Sequence, residues 1–123
     1  MILNELTGKI IGCAIEVHRT LGSGLLESTY EQCLCQELSL AKIPFKVQWS
    51  LPVIYKGIRL DCGYRVDIFV DERVILELKS IGQVEKIHEA QLLTYMRLAS
   101  IEIGLLINFN VEVLKNGIKR FKY

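Results

Sequence analysis

The segment Val66–Ser80, VDIFVDERVILELKS, limits what this chain can fold into more than any other. Two apolar runs of strand length flank an acidic turn, which reads as a β-hairpin inside a sheet. Yet Asp67, Glu77 and Lys79 interrupt those runs. Alternate residues of a strand share a face. Arg65, Asp67 and Phe69 therefore lie together on the first strand, and Ile75, Glu77 and Lys79 on the second. The opposite faces carry Val66, Ile68 and Val70, and Val74, Leu76 and Leu78. A three-residue turn, 71–73, puts Asp67 directly across from Glu77; a two-residue turn shifts the register by one.

Carboxylates facing each other across a ladder repel, and more so where burial lowers the effective dielectric. Protonation of one acid, pairing with Lys79, or a bound divalent cation would offset that repulsion. Mg²⁺ takes oxygen ligands and keeps several waters, so two carboxylates suit it. Lys79 projects to the same face as Glu77, where its ammonium would hold a water or steady a phosphate oxygen. Taken alone, D…ExK equally describes a surface cross-strand ion pair.

The rest of the chain supplies a frame for that hairpin. Leu6, Ile10, Cys13, Ala14, Val17 and Leu21 recur at helical spacing across Asn4–Leu21. Gly22-Ser23-Gly24 breaks that helix, and a second is expected from Leu25 to about Ala41, with Leu26, Tyr30, Cys33, Leu34 and Leu38 on one face. Glu27 sits early in it, where an acid also complements the helix dipole. After Pro44 the period changes to two, with Phe45, Val47, Trp49 and Leu51 alternating with polar residues. A turn at Tyr55–Gly57 leads to a long strand, Ile58–Val70, bent or bulged at Gly63. Val84–Ala99 has helical character, with His88, Gln91 and Tyr95 on one face. Glu102–Phe109 is nearly all apolar, as a strand covered on both faces would be. A turn at Lys115–Gly117 precedes a short last strand. The expected order is ααβββαββ: one mixed sheet flanked by helices.

With 123 residues, half of them hydrophobic, the chain is expected to form a single domain, 1–123, with a packed core. A net charge of +1 lacks the basic excess of a protein that coats nucleic acid. Only the end is basic: Lys115, Lys119, Arg120 and Lys122 suit a solvated edge strand or a phosphate-contacting patch. Cys13, Cys33, Cys35 and Cys62 form no CxxC pair, and small reduced buried thiols are expected rather than a metal site. The start lacks the pattern of a signal peptide, and no apolar run approaches the ~20 residues that span a bilayer. A cytoplasmic protein without membrane contact is expected.

Together these residues resemble the PD-(D/E)xK nuclease superfamily, and within it the small GxxExxY proteins. That stretch stands here as GLLESTY, with Gly24, Glu27 and Tyr30; GYRVD and ELK supply the D…ExK part, with Val66 in place of the proline. HEAQLLTYMRL carries a QxxxY element like that of the lambda-exonuclease-type branch, and GLLINFN and LKNGIKR match the closing stretch. The resemblance covers nearly the whole chain. It implies a restriction-endonuclease-like αβββαβ core and phosphodiester cleavage, with DNA as the expected substrate and Mg²⁺ or Mn²⁺ as cofactor. On it, Asp67 and Glu77 bind the metal with the carbonyl of Leu78, Glu27 completes the shell, Lys79 is the catalytic lysine, and Gln91 and Tyr95 orient the site or the phosphate. Iron–sulfur relatives carry cysteines after the nuclease core; this chain has none beyond Cys62. Two alternatives use the same fold: a catalytically silent nucleic-acid- or partner-binding module, and a homodimeric, structure-selective endonuclease of the Holliday-junction-resolvase kind.

Overall fold

In the computed structural model, which describes all 123 residues, two helices come first. Helix α1, Leu3–Leu21, buries Leu6, Ile10, Ala14 and Val17, one stripe at helical spacing. It stops where Gly22 and Gly24 adopt positive φ, conformations open to glycine and costly for other residues. Helix α2, Glu27–Leu40, buries Tyr30, Leu34 and Leu38. The sheet follows: β1 (Phe45–Ser50), β4 (Arg65–Val70), β5 (Val74–Lys79), β6 (Ile103–Asn108) and β7 (Ile118–Lys122) lie side by side in that order. Between β1 and β4 the chain forms a separate hairpin, β2 (Val53–Tyr55) and β3 (Ile58–Leu60). Only the β5–β6 pair is parallel, and helix α3, Lys86–Ala99, makes the crossover between them, as a parallel pair requires.

The sheet separates two apolar clusters. Ile68, Val70, Val74, Leu76, Leu78, Leu105 and Ile107 meet α1 and α2 on one side. Phe69, Ile75 and Leu106 meet Leu92, Tyr95 and Met96 of α3 on the other. α3 lies close on β6, since a Cβ built on Gly104 would stand 2.6 Å from Met96 Sδ; a side chain at this first residue of GLLINF would have to displace Met96 and Leu92.

Two expectations change, and the turn before the last strand is met in a more specific form. The long strand is two: Ile58–Leu60 belongs to the separate hairpin, and Asp61–Tyr64 is a break in which the Asp61 carboxylate accepts the Gly63 N–H at 3.1 Å. The short last turn is a 3₁₀ turn, Leu114–Gly117. Strict alternation also fails. Phe45 packs on the α1–α2 side and Trp49 on the α3 side, although both are odd-numbered in β1. Likewise Val66 packs on the α3 side, whereas Ile68 and Val70 pack on the other. The reversal falls at Gln48, whose φ is 49°, and at Asp67 across from it.

The thiols are less buried than expected: Cys13, Cys33 and Cys35 are half-buried and Cys62 is exposed. The basic tail is an edge strand with local partners. Lys119 pairs with Glu89 at 2.8 Å, Arg120 donates to Asn4 at 3.0 Å, and Lys122 faces Glu102 at 3.8 Å.

Candidate active site

The turn Asp71–Arg73 has three residues: Asp71 and Glu72 both take φ of 52°, and the Arg73 N–H closes on the Val70 carbonyl at 2.9 Å. That turn sets the register Val70↔Val74, Phe69↔Ile75, Ile68↔Leu76. Asp67 and Glu77 come next in it, but there the backbone ladder gives way. The Asp67 N–H instead reaches Glu77 Oε1 at 3.3 Å, and the Leu78 N–H reaches Asp67 Oδ2 at 2.8 Å. Each acid caps the other strand's backbone, and the two strands part as a fork. Lys79's carbonyl accepts the Phe109 N–H at 2.9 Å on the β6 side. Strand geometry therefore turns Leu78's carbonyl the other way, into the fork.

Glu77 is only 7% exposed. Burial first, and the charge of Asp67 second, push its carboxyl up to about 8. The charge of Lys79 acts in the opposite direction. None of the six ion pairs in the chain includes Glu77, Asp67 or Lys79. The half-buried Lys79 is thus not the cation of a surface cross-strand pair.

The segment before Glu27 is tied to Tyr30 and to the end of β5 by three bonds, none of them to Glu27 itself. Tyr30 stacks on Phe109 at 4.4 Å between ring centroids. Its hydroxyl donates to the Gly22 carbonyl at 2.6 Å and accepts the Leu25 N–H at 3.2 Å. Ser80, beside Lys79, donates to the Leu25 carbonyl at 2.6 Å. The glycine break, Tyr30 and the end of β5 form one unit, from whose edge the exposed Glu27 side chain starts. Its charge reaches Glu77 and adds to the upward push. No three His, Cys, Asp or Glu side chains are gathered in ligand geometry; Asp67 and Glu77 meet at the fork, and Glu27 stands beside them.

On α3, Gln91 Nε2 donates to the Tyr95 hydroxyl at 2.9 Å. Tyr95 is buried, and burial followed by the charge of Glu77 holds its hydroxyl above the usual phenol range. Gln91 is exposed. The two line an open groove of about 380 Å³ between α3 and the β2–β3 hairpin, with Val53, Tyr64, Ile87 and Thr94. His88 does not join them: its Nδ1 accepts the Glu85 N–H at 2.9 Å as part of a capping box at the start of α3.

Two residues at the fork were not singled out from the sequence. Glu31 lies one helical turn after Glu27, and Gln48 is the β1 neighbour of Asp67. Gln48 Nε2 donates to Glu31 Oε2 at 2.8 Å and to Asp67 Oδ1 at 3.3 Å. Burial raises the Glu31 carboxyl, the Gln48 bond lowers it, and the charges of Asp67 and Glu27 raise it further. The spacing Glu27–Glu31 was the available signal; nothing in the sequence marked Gln48.

A mixed five-stranded sheet between helices, with D…ExK at a central fork, is the restriction-endonuclease-like architecture. A family model described as the PD-(D/E)XK nuclease superfamily matches residues 4–121. The chain belongs to that superfamily, whose nucleases generally use divalent metals and act on nucleic acid. No match was found among curated proteins or among solved structures. No helix is long and apolar enough to cross a membrane.

The donor set suits a hard cation. Two carboxylates and a carbonyl meet at one fork, and the buried Glu77 carboxyl is pushed up by burial and by the charge of Asp67. Oxygen donors of this kind are what Mg²⁺ and Mn²⁺ select.

Proposed function

We propose that this chain is a metal-dependent nuclease of the GxxExxY kind that hydrolyses phosphodiester bonds in DNA. The observation that carries this reading is the pair of half-buried Asp67 and buried Glu77 at an open fork, with no cation from the protein within ion-pair distance and with Lys79 unpaired beside it. A structural ion pair would have closed that arrangement; a site that takes a cation and a phosphate leaves it open.

Asp67, Glu77 and the Leu78 carbonyl would hold the ion, with Glu27 above them. When bound, a divalent cation neutralises charge on the scissile phosphate and acidifies water at the site. The Asp67 charge would draw that ion in, and Glu77 would give up its proton on binding it. Lys79 holds the attacking water or a phosphate oxygen through its ammonium hydrogens, because no carboxylate of the chain occupies them. Gln91 and Tyr95 line the wall of the groove through which the strand approaches and orient the phosphate. In the reaction, a water oxygen bonds to phosphorus, the P–O bond to the leaving nucleotide breaks, the water's proton leaves to solvent, and the leaving oxygen takes a proton from solvent to become a hydroxyl. Tyr30, by fixing the glycine break, decides where Glu27 stands, which is the role this account gives the tyrosine of GxxExxY.

The test is a panel of labelled single- and double-stranded DNA and RNA, incubated with Mg²⁺, Mn²⁺ or EDTA. Cleavage of DNA in Mg²⁺ or Mn²⁺ and none in EDTA is expected. No cleavage of any substrate with either metal would refute the reading and leave a binding module.

A further inference from the structure

Gln48 has a backbone conformation foreign to its surroundings. It lies inside β1, yet its φ of 49° is left-handed. Residues other than glycine are uncommon there, and such outliers persist only where the surroundings hold them. Its neighbours Val47 and Trp49 pair normally with Ile68 and Val66, while Gln48 and Asp67 form no ladder pair between them. The side-chain alternation reverses at this point in both strands, as Phe45 and Trp49, and Val66 and Ile68, show.

The reversal has one consequence for each acid. In β4 it lets Val66 enter the α3-side core while Asp67 turns its carboxylate across the fork to the Leu78 N–H. In β1 it brings the Gln48 amide between α2 and β4. The amide nitrogen carries two hydrogens, one for Glu31 and one for Asp67. A neutral double donor between two carboxylates holds them in fixed positions without adding charge. An ammonium would neutralise one of them and compete with a bound cation. A carboxylate would add a third repelling group.

We propose that Gln48 is a positioning residue of the fork: its left-handed backbone and its bridging amide fix the Asp67 carboxylate for cation binding and tie it to Glu31 on α2. The proposal rests on the metal-dependent nuclease reading for its effect on turnover, but the bridge itself can be tested without metal.

Gln48→Gly keeps the backbone conformation, since glycine takes positive φ freely, and removes the amide. Gln48→Glu keeps the length and removes both donors. The first arm is urea unfolding in EDTA of wild type, Gln48→Gly, Glu31→Gln and the double variant. The midpoint shift of the double variant is expected to depart from the sum of the single shifts, because contacting residues couple; additive shifts would overturn the bridge. The second arm is Mn²⁺ binding by calorimetry and, on the best cleaved DNA, kcat and KM separately. Gln48→Gly is expected to weaken Mn²⁺ about tenfold and lower kcat by about 10- to 100-fold, the range for groups that orient metal ligands, with KM nearly unchanged. Gln48→Glu, which adds negative charge beside Asp67, should bind Mn²⁺ without a matching loss and still lower kcat at least as far. A folded Gln48→Gly protein with wild-type Mn²⁺ affinity overturns the positioning role, whatever its stability. Should wild type bind Mn²⁺ and cleave nothing, the nuclease reading fails, and the unfolding and Mn²⁺ arms still decide the role of Gln48.

Discussion

Replacing Glu77 with glutamine should stabilise the metal-free protein at alkaline pH. Gln keeps the carbonyl oxygen that accepts the Asp67 N–H and supplies the neutral form permanently. In the folded wild type, burial and then Asp67 raise the Glu77 carboxyl from 4.5 to about 8. A carboxyl raised on folding contributes stability that is fully present below its unfolded pKa. That contribution is lost as pH climbs from about 4.5 through about 8. Each unit of pKa corresponds to about 1.4 kcal/mol, so the charged form costs the fold on the order of a few kcal/mol at pH 9. The assay is urea unfolding in EDTA at pH 4.5, 6, 7.5 and 9. Wild-type stability should fall across that range relative to Glu77→Gln, with little difference at pH 4.5 and the largest at pH 9. Mg²⁺ should then restore wild type at pH 9 by binding the folded state and do little for the variant. At pH 7 the same binding should release close to one proton per ion, since the ligand must give it up. This would appear as a dependence of the calorimetric heat on buffer ionisation enthalpy. A gap between variant and wild type that does not change with pH, or cation binding without proton release, would refute the argument that Glu77 is an uncompensated buried acid.

Tyr30→Phe keeps the stack on Phe109 but loses the hydroxyl bonds to Gly22 and Leu25. It should cost about 0.5–1.5 kcal/mol in urea unfolding and lower cleavage by releasing Glu27. Gly104→Ala drives a methyl against Met96 and Leu92 and should destabilise by about 1–3 kcal/mol, an effect a thermal melt reads directly. His88→Ala should cost about 0.5–2 kcal/mol, as losing a cap does, and leave cleavage per folded molecule unchanged, because His88 serves the start of α3 and not the fork.

Much of this was legible in residue order. The stripe Leu6, Ile10, Ala14, Val17 marked α1, and the unbroken apolar run through Leu106 marked a strand covered on both sides. The acidic turn held three residues, so Asp67 and Glu77 do face one another, and Lys79 stands with Glu77. What escaped depends on backbone freedom that side-chain types do not encode. The alternation from Ile58 to Val70 looked continuous because Leu60 and Val66 have the right parity. Yet the Asx turn at Asp61–Gly63 divides it, and the hairpin leaves the sheet. Gln48 looked like one more polar residue of a half-buried strand; nothing in its side-chain type signals a left-handed φ or an amide shared by Glu31 and Asp67. His88 fell on the stripe with Gln91 and Tyr95, but it is also the third residue after Glu85, and the cap won.

Lys79→Ala separates cation and substrate binding from turnover when assayed beside wild type on DNA in Mg²⁺, with substrate binding measured in Ca²⁺. The ammonium makes no ion pair, so its removal should leave folding nearly unchanged. It also takes positive charge from beside Glu77, so the cation should bind as well or better. Cleavage should fall by roughly a hundredfold or more, the scale of losing a group that places a proton or stabilises charge in the transition state, while DNA affinity changes far less. A Lys79→Ala protein that cleaves as fast as wild type would contradict the account.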